Sequence, residues 1–114
     1  MILIHLTVTE AVRQAKNLED LMYELQTDLA IATGKNLDEI AISGGVSDSM
    51  TARYGAMMGI EFLYKVTPEN ANRVTKTATL ALAALLLSSN VVNRTVIGYP
   101  TIRDVLPPVI VALS

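Results

Sequence analysis

The sequence predicts an α/β fold, an α+β sandwich made of two strand–helix–strand (βαβ) units. The two units together form a four-stranded mixed sheet with two helices on one face. Two stretches of the chain alternate apolar and other residues with period two, as strands do. Each stretch is followed by a helical stripe of apolar residues and then by a further apolar run. Because 114 residues correspond to about one domain, we expect a single domain over residues 1–114.

The first unit opens with a strand from Met1 to Val8. The next eight residues fit either a loop or a short helical turn capped by Thr9. A helix then begins after Asn17, a good N-cap, and ends at Gly34, which enters the left-handed region freely. The apolar stripe of this helix consists of Leu18, Leu21, Met22, Leu25 and Leu29. A strand from Ile40 to Ser43 closes the unit.

The stretch over residues 44–55 is rich in turn formers. Gly44-Gly45 and the Ser-Asp-Ser cluster that follows are expected to interrupt regular structure. The glycine pair is not a phosphate-binding loop, because the Walker spacing and its lysine are missing. This stretch therefore predicts a turn or bulge between the two units.

The second unit begins with a strand from Met57 to Val66. Thr67 caps the helix that follows, Pro68 fits its first position, and the helix extends to about Ser89. A strand over Arg94–Tyr99 completes the unit. The core stripe of the helix consists of Ala71, Val74, Ala78, Leu82 and Leu85, and its back face is also apolar from Ala78 onward. The apolar stretch is too short to span a bilayer, so we expect a second buried face.

Composition limits the function classes. Hydrophobic residues make up 51% of the chain and charged residues only 18%, which indicates a buried subunit interface. The net charge of −2 provides no basic surface for nucleic acid. The absence of cysteine excludes disulfides, thiolate metal sites and a cysteine nucleophile. The N-terminus has no basic segment followed by a long apolar run, as a signal peptide would, so we expect a cytoplasmic protein. We also expect no membrane partner, no metal and no other cofactor.

The alternating strands also predict an oligomer. Both faces of the sheet carry Ile, Leu, Val or aromatic residues, while two helices can cover only one face. A four-stranded sheet also has two edges that invite pairing with another chain. Prolines interrupt the tail and reduce Val109–Leu113 to at most a short edge strand. We expect this tail to lie against a neighbouring subunit.

Three short motifs resemble those of one known family. They are Ala32-Thr33-Gly34-Lys35 at the end of the first helix, Asn72-Arg73 near the start of the second, and the segment Asn93-Arg94-Thr95-Val96-Ile97-Gly98-Tyr99. In these motifs, and in its length, the chain resembles the tautomerase superfamily and most of all its macrophage migration inhibitory factor branch. The resemblance implies two βαβ units, a homotrimer, and a pocket for a small carbonyl or carboxylate ligand.

The chain also departs from the family pattern. The family's catalytic base is an N-terminal proline, and residue 2 here is Ile2. The family's pocket tyrosine and asparagine on the last long strand correspond to Val96 and Gly98, and Tyr99 lies in a different register. The family lysine after the first helix is matched by Lys35. These departures from the family pattern predict little or no proline-dependent keto–enol tautomerase activity.

The candidate catalytic residues are Met1 and Lys35, and the candidate ligand-binding residues are Lys35, Tyr64 and Tyr99. The Met1 amine could act as a base or form a Schiff base with a carbonyl substrate, or it could be an ordinary terminus. Lys35 could hold a carboxylate, or could serve only the negative end of the helix dipole. His5, the only histidine, fits a hydrogen-bonded sheet residue better than a catalytic one.

Two function classes remain open. One is a divergent small-molecule isomerase or related enzyme that works at a pocket between subunits. The other is a non-catalytic oligomeric binding or assembly module of the same fold. A Met1 amine inside a polar pocket beside Lys35 favours the enzyme, whereas an amine open to water favours the module.

Overall fold

The computed structural model describes residues 1–47, 54–88, 95–100 and 109–112. These ranges contain three helices, a short 3₁₀ turn and five strands that form one sheet. The elements are β1 (Ile2–Val8), α1 (Glu10–Ala15), α2 (Leu18–Thr33), the 3₁₀ turn (Leu37–Glu39), β2 (Ile40–Val46), β3 (Ala56–Phe62), α3 (Pro68–Leu87), β4 (Val96–Pro100) and β5 (Val109–Val111).

The sheet combines two parallel βαβ units. The strand order is β2-β1-β3-β4-β5. Strands β1 and β2 are parallel, as are β3 and β4, whereas β1 and β3 pair antiparallel at the centre. The predicted α/β sandwich is thus confirmed, with a fifth strand added at the β4 edge.

The alternation along β1 divides the sheet into two faces. Ile2, Ile4, Leu6 and Val8 are buried beneath the helices, while His5 between them is exposed. The buried set joins Leu21, Leu25 and Leu29 of α2 and Ala78, Leu82 and Leu86 of α3 in one core. One face of the sheet therefore supplies the core of the domain.

The other face carries the side chains that point away from the helices, and we call it the open face. Strand register places on it Leu3, His5, Thr7, Ala41, Ser43, Met57, Glu61, Ile97, Tyr99 and Ile110. Most of these side chains are apolar, and Ile110 and Tyr99 are substantially exposed. As the sequence predicts, the helices of one chain leave a largely apolar face of the sheet uncovered.

The helix boundaries follow the predicted caps. The Asn17 side chain accepts a hydrogen bond from the Asp20 backbone N–H at 3.1 Å, and Gly34 ends α2 in the left-handed region with φ 70°. The Thr67 hydroxyl accepts from the Asn70 backbone N–H at 3.2 Å. Thr9 caps the short helix α1, which resolves the ambiguous segment after β1. Local sequence thus determines where each of these helices begins.

Two strand boundaries differ from the prediction. Gly44-Gly45 does not break β2, which continues to Val46. A Cβ on Gly44 would lie 2.6 Å from the Met22 sulfur, so the glycine permits close packing of α2 rather than forming a turn. Strand β3 ends at Phe62 instead of Val66, so residues 63–66 belong to the connection between β3 and α3.

The tail forms a short edge strand, as the sequence predicts. Val109–Val111 is β5, which pairs antiparallel with β4 of the same chain. Because β3 occupies only one edge of β4, the other edge remains free for this pairing. Val111 packs against the core and Ile110 pairs with Ile97. The contact of the tail with a neighbouring subunit stays a prediction.

The back face of α3 remains partly exposed. Leu80 and Leu87 each retain 50% of their accessible surface, whereas Ala83 is buried. None of the helices in the described ranges combines the length and the apolar character required to cross a membrane. The predicted burial of this second face is therefore not complete within one chain.

Leu25 provides a test of the core. It lies fully buried in the middle of α2, so Leu25→Ala should lower the free energy of unfolding by about 2–5 kcal/mol. Ile31→Ala on the same helix is the control, because Ile31 is 77% exposed and should change stability by less than about 0.5 kcal/mol. Urea denaturation measures both variants. Equal losses in the two variants would show that α2 packs with a different face.

Candidate functional site

A cavity of about 600 Å³ lies between the C-terminal end of α2, the β3–α3 connection and the first turns of α3. Three cationic side chains line it, namely Lys35, Lys65 and Arg73, together with the ring of Tyr64. Among the described residues that line the cavity, none is a carboxylate. This concentration of positive charge contrasts with the net charge of −2 for the whole chain.

Lys35 reaches the cavity because of the way in which α2 ends. Gly34 turns the chain, and the Lys35 backbone N–H donates to the Ala30 carbonyl at 3.1 Å. The Lys35 ammonium lies 4.9 Å from the centre of the Tyr64 ring, a favourable cation–π distance. Tyr64 is in turn supported by Phe62, whose ring meets it edge-on at 6.0 Å between centroids. The lysine is therefore held at the cavity wall.

The opposite wall is the N-terminal part of α3. The Arg73 guanidinium donates to the Asn70 side-chain oxygen at 2.9 Å, one turn earlier on the helix. Thr67 caps the helix, and both Thr67 and Asn70 line the cavity. The N-terminus of a helix carries a partial positive charge, which adds to the field of the three cations.

These cations have no fixed counter-charge in the described part of the chain. The ion pairs there join His5 to Glu61, Arg13 to Glu10 and Lys16 to Glu24, and none of them includes a cation of the cavity. The cavity is thus suited to a small anion. A carboxylate could accept hydrogen bonds from the lysines and a paired hydrogen bond from the guanidinium.

A distinct charge pair lies on α1, away from this cavity. A hydrogen bond from Arg13 lowers the pKa of the Glu10 carboxyl, and the same bond raises the pKa of Arg13. Glu10 is in the first turn of α1 and Arg13 in the last, so both charges also complement the helix dipole. The pair supports a short helix and does not line the cavity beside Lys35.

The structure brings together only part of the predicted site. Lys35 and Tyr64 line the same cavity, as expected for a ligand-binding pair. Met1 is 51% exposed and does not line the cavity, although its carbonyl accepts from the backbone N–H of Leu63 at 2.9 Å. Leu63 directly precedes Tyr64, so the start of the chain lies beside the connection that forms one cavity wall.

Tyr99 occupies a different surface from the cavity. It pairs with Gly59 across β3 and β4, and a Cβ added to Gly59 would lie 3.2 Å from the tyrosine ring. The ring therefore lies over Gly59 on the open face. Within one chain, Tyr99 does not join Lys35 and Tyr64.

Val96 and Gly98 cannot supply the family's polar groups. Both face the core, where Val96 is fully buried and Gly98 lies against the Thr79 side chain of α3. A side chain at position 98 would collide with the Thr79 hydroxyl. Neither position therefore presents a polar side chain to the cavity or to the open face.

Lys65, Thr67, Asn70 and Arg73 are cavity residues that the sequence interpretation missed. Lys65 was expected on a strand, but β3 ends three residues earlier and leaves it in the connection. Arg73 contributed to the family resemblance without an assigned role. The signal in the sequence that points to these residues is the helix start at Thr67-Pro68. It places the residues before Thr67 in a connection, and the first turns of α3 lie beside that connection.

Comparison with known proteins supports the fold. No protein-family model matches the chain, and no curated protein matches it. A fused 4-OT protein, solved as a symmetric trimer, is similar in structure with a TM-score of 0.57, 18% identity and coverage of 90% of this chain and 85% of that chain.

Two further solved structures have the same architecture. An FG41 malonate semialdehyde decarboxylase inhibited by 3-bromopropiolate gives a TM-score of 0.53 at 16% identity, covering 87% of this chain and 81% of that one. A macrophage migration inhibitory factor-like protein from Entamoeba histolytica gives 0.52 at 13% identity, covering 87% and 83%. The chain therefore shares its fold with these three proteins, as the family resemblance of its motifs predicts.

Proposed function

We propose that this chain forms a cytoplasmic homotrimer of the tautomerase fold and binds a small carboxylate-bearing carbonyl compound in the cavity beside Lys35. We propose further that it acts on this compound as a divergent isomerase or related enzyme. The observation that supports this proposal most directly is the cavity itself, which has three cations, no carboxylate among its described lining residues, and an aromatic ring under one lysine.

The charge of the cavity favours an anionic ligand, and its size favours a small one. A volume of about 600 Å³ is within the range of small-molecule sites. Lys35 follows the end of α2 and Arg73 belongs to α3, so they can contact an anion from two sides of the cavity. The Tyr64 ring provides an apolar surface for the rest of the ligand.

A reaction in this site would use the Met1 amine together with Lys35. A primary amine can take a proton from carbon next to a carbonyl, or it can form a Schiff base with the carbonyl. Lys35 would hold the carboxylate during either step. Tyr99 would have to come from a neighbouring copy, since in its own chain it lies on the open face. We therefore propose that the complete site lies between subunits.

The second candidate is a non-catalytic binding module of the same trimer. Met1 is half exposed and does not line the cavity within one chain, which favours binding without chemistry. Ile2 in place of proline and the core-facing positions of Val96 and Gly98 argue against proline-dependent tautomerase activity in both candidates.

The trimer is supported by two kinds of observation. The open face is largely apolar, and exposed apolar patches of this kind commonly mark sites of protein association. A structurally similar protein was solved as a symmetric trimer. Three copies around one axis could cover their open faces and pair their sheet edges.

Binding of a 2-oxo acid tests the role of Lys35. With phenylpyruvate as the probe in isothermal titration, Lys35→Met should raise the dissociation constant about tenfold or more, because a hydrogen bond to a charged group contributes about 1.5–3 kcal/mol. The matched control is Lys76→Met, an exposed lysine of α3 that does not line the cavity. Equal affinity in both variants would place the ligand elsewhere.

A rate measurement separates the enzyme from a proline-dependent tautomerase. We expect little or no keto–enol conversion of phenylpyruvate, because no N-terminal proline is present and positions 96 and 98 face the core. Acetylation of the Met1 amine is the control. A high rate that acetylation abolishes would contradict the expectation and show that a primary amine replaces the proline.

The molar mass in solution tests the assembly. Light scattering at micromolar concentration should give three times the chain mass of 12.3 kDa. A mass of one chain would overturn the assembly and leave the apolar open face unexplained. A mass of two chains would contradict the trimer while retaining self-association.

A further inference from the structure

A hydrogen-bonded row of three polar side chains crosses the open face. His5 Nδ1 on β1 lies 3.3 Å from the Ser43 hydroxyl oxygen on β2, and His5 Nε2 lies 3.4 Å from a carboxylate oxygen of Glu61 on β3. The strand register explains this arrangement. Ser43 is directly opposite His5, while Glu61 is opposite Leu3 and so reaches His5 diagonally.

The row can hold the imidazole in either charge state. When only Nε2 carries a proton, it donates to Glu61, and Nδ1 accepts from the Ser43 hydroxyl. When Nδ1 is also protonated, it donates to the same hydroxyl oxygen. A serine hydroxyl both donates and accepts, so it satisfies both states without a change of geometry.

The surroundings of His5 are otherwise uncharged. Glu61 faces it from β3, and Tyr99 on β4 lies over Gly59, the residue opposite His5. No titratable side chain on the described open-face positions of β1 or β2 faces His5 besides its own ring. The Met1 amine stands at the start of β1, four residues away. The other open-face neighbours on β1 and β3 are Leu3, Thr7 and Met57, none of which carries a charge.

Glu61 and His5 are exposed in the single chain, with 43% and 51% of their side-chain surface accessible. If a second copy covers the open face, as the proposed trimer requires, water is removed from both groups. A carboxylate buried beside a neutral imidazole would leave an uncompensated charge, which is strongly unfavourable. A proton on His5 makes the row neutral and allows it to be covered.

We propose that covering of the open face in the proposed trimer takes up a proton at His5, which pairs with Glu61 in the covered face. The inference rests on the proposed trimer. The second copy is the appropriate occupant because the face is mostly apolar and carries no net charge once His5 is protonated. Self-association through it therefore brings together surfaces without like-charge repulsion.

The sign of the pH dependence follows from this proton uptake. The assembled state binds more protons than the separate chains, so association strengthens as the pH falls through the range of about 5 to 8 in which imidazole titrates. Association weakens as the pH rises through the same range. His5 is the only histidine of the chain.

A serine, histidine and glutamate in this order also occur in hydrolases. A hydrolase requires a concave site at the serine for its substrate. Ser43 is exposed on a sheet face and does not line the cavity beside Lys35. The row is better suited to a protein surface than to acyl transfer.

The test is the association constant of the full chain between pH 5.5 and 8.5 at fixed ionic strength. Analytical sedimentation over a range of protein concentrations measures this constant. If the trimer does not dissociate in buffer, every sample contains the same moderate concentration of urea. For the wild-type chain we expect association to strengthen about tenfold or more across this range as the pH falls, as uptake of at least one proton predicts.

Three variants assign the effect. His5→Gln should associate more weakly than the wild type at pH 5.5, because the covered Glu61 carboxylate then has no protonated imidazole beside it. Glu61→Gln should lose the strengthening at low pH, and should associate more tightly than the wild type at pH 8.5 because no carboxylate is covered without a cation. Glu10→Gln is the matched control, since it removes a carboxylate of an exposed pair on α1 and should keep the wild-type slope.

The outcomes separate the two proposals. A single chain at every pH overturns the trimer and this inference together. An oligomer with the same association constant from pH 5.5 to 8.5 leaves the trimer standing and overturns the proton coupling. A slope that persists in His5→Gln and disappears after acetylation of Met1 assigns the proton to the amine and overturns the role of His5. Circular dichroism on each variant identifies any that fails to fold, for which the other variant decides.

Discussion

The alternation of side chains along β1 is the constraint on which the rest of the structure depends. Burial of one alternating set of side chains determines which face of the sheet the helices cover. This set consists of Ile2, Ile4, Leu6 and Val8. The central antiparallel pairing of β1 with β3 extends the same division to both halves of the chain. Since all three helices pack on one side, His5 and the apolar residues around it are left on the other.

The candidate site depends on where regular structure ends rather than on the core. Gly34 ends α2 and directs Lys35 into the cavity, and the end of β3 at Phe62 places Tyr64 and Lys65 in the adjoining connection. Residues in connections make few core contacts, so their types can change without loss of the fold. This explains how the chain can share its fold with the 4-OT and macrophage migration inhibitory factor-like structures while the residues of its cavity connections are its own.

Much of the fold could be predicted from the sequence, because caps and periodic stripes are local signals. Asn17, Gly34 and Thr67 mark helix ends through contacts within a few residues. The extent of β2 could not be predicted, because Gly44 pairs with Leu6 of β1 and lies beneath Met22 of α2, and both partners are distant in the sequence. In the site, Lys35 was predictable from its position after a helix end, whereas the location of Tyr99 depends on strand pairing with Gly59.

The central claim is that copies of this chain cover the open face. Met57 lies on that face in β3, and the chain contains no cysteine, so Met57→Cys introduces one thiol in a known position. The rate of its alkylation by a soluble maleimide can be compared with that of Gln14→Cys on the exposed side of α1. We predict that the thiol at position 57 reacts at least about tenfold more slowly in the assembled protein, and that dilution or urea sufficient to separate the chains removes this protection. Equal rates in the assembled protein would contradict the claim.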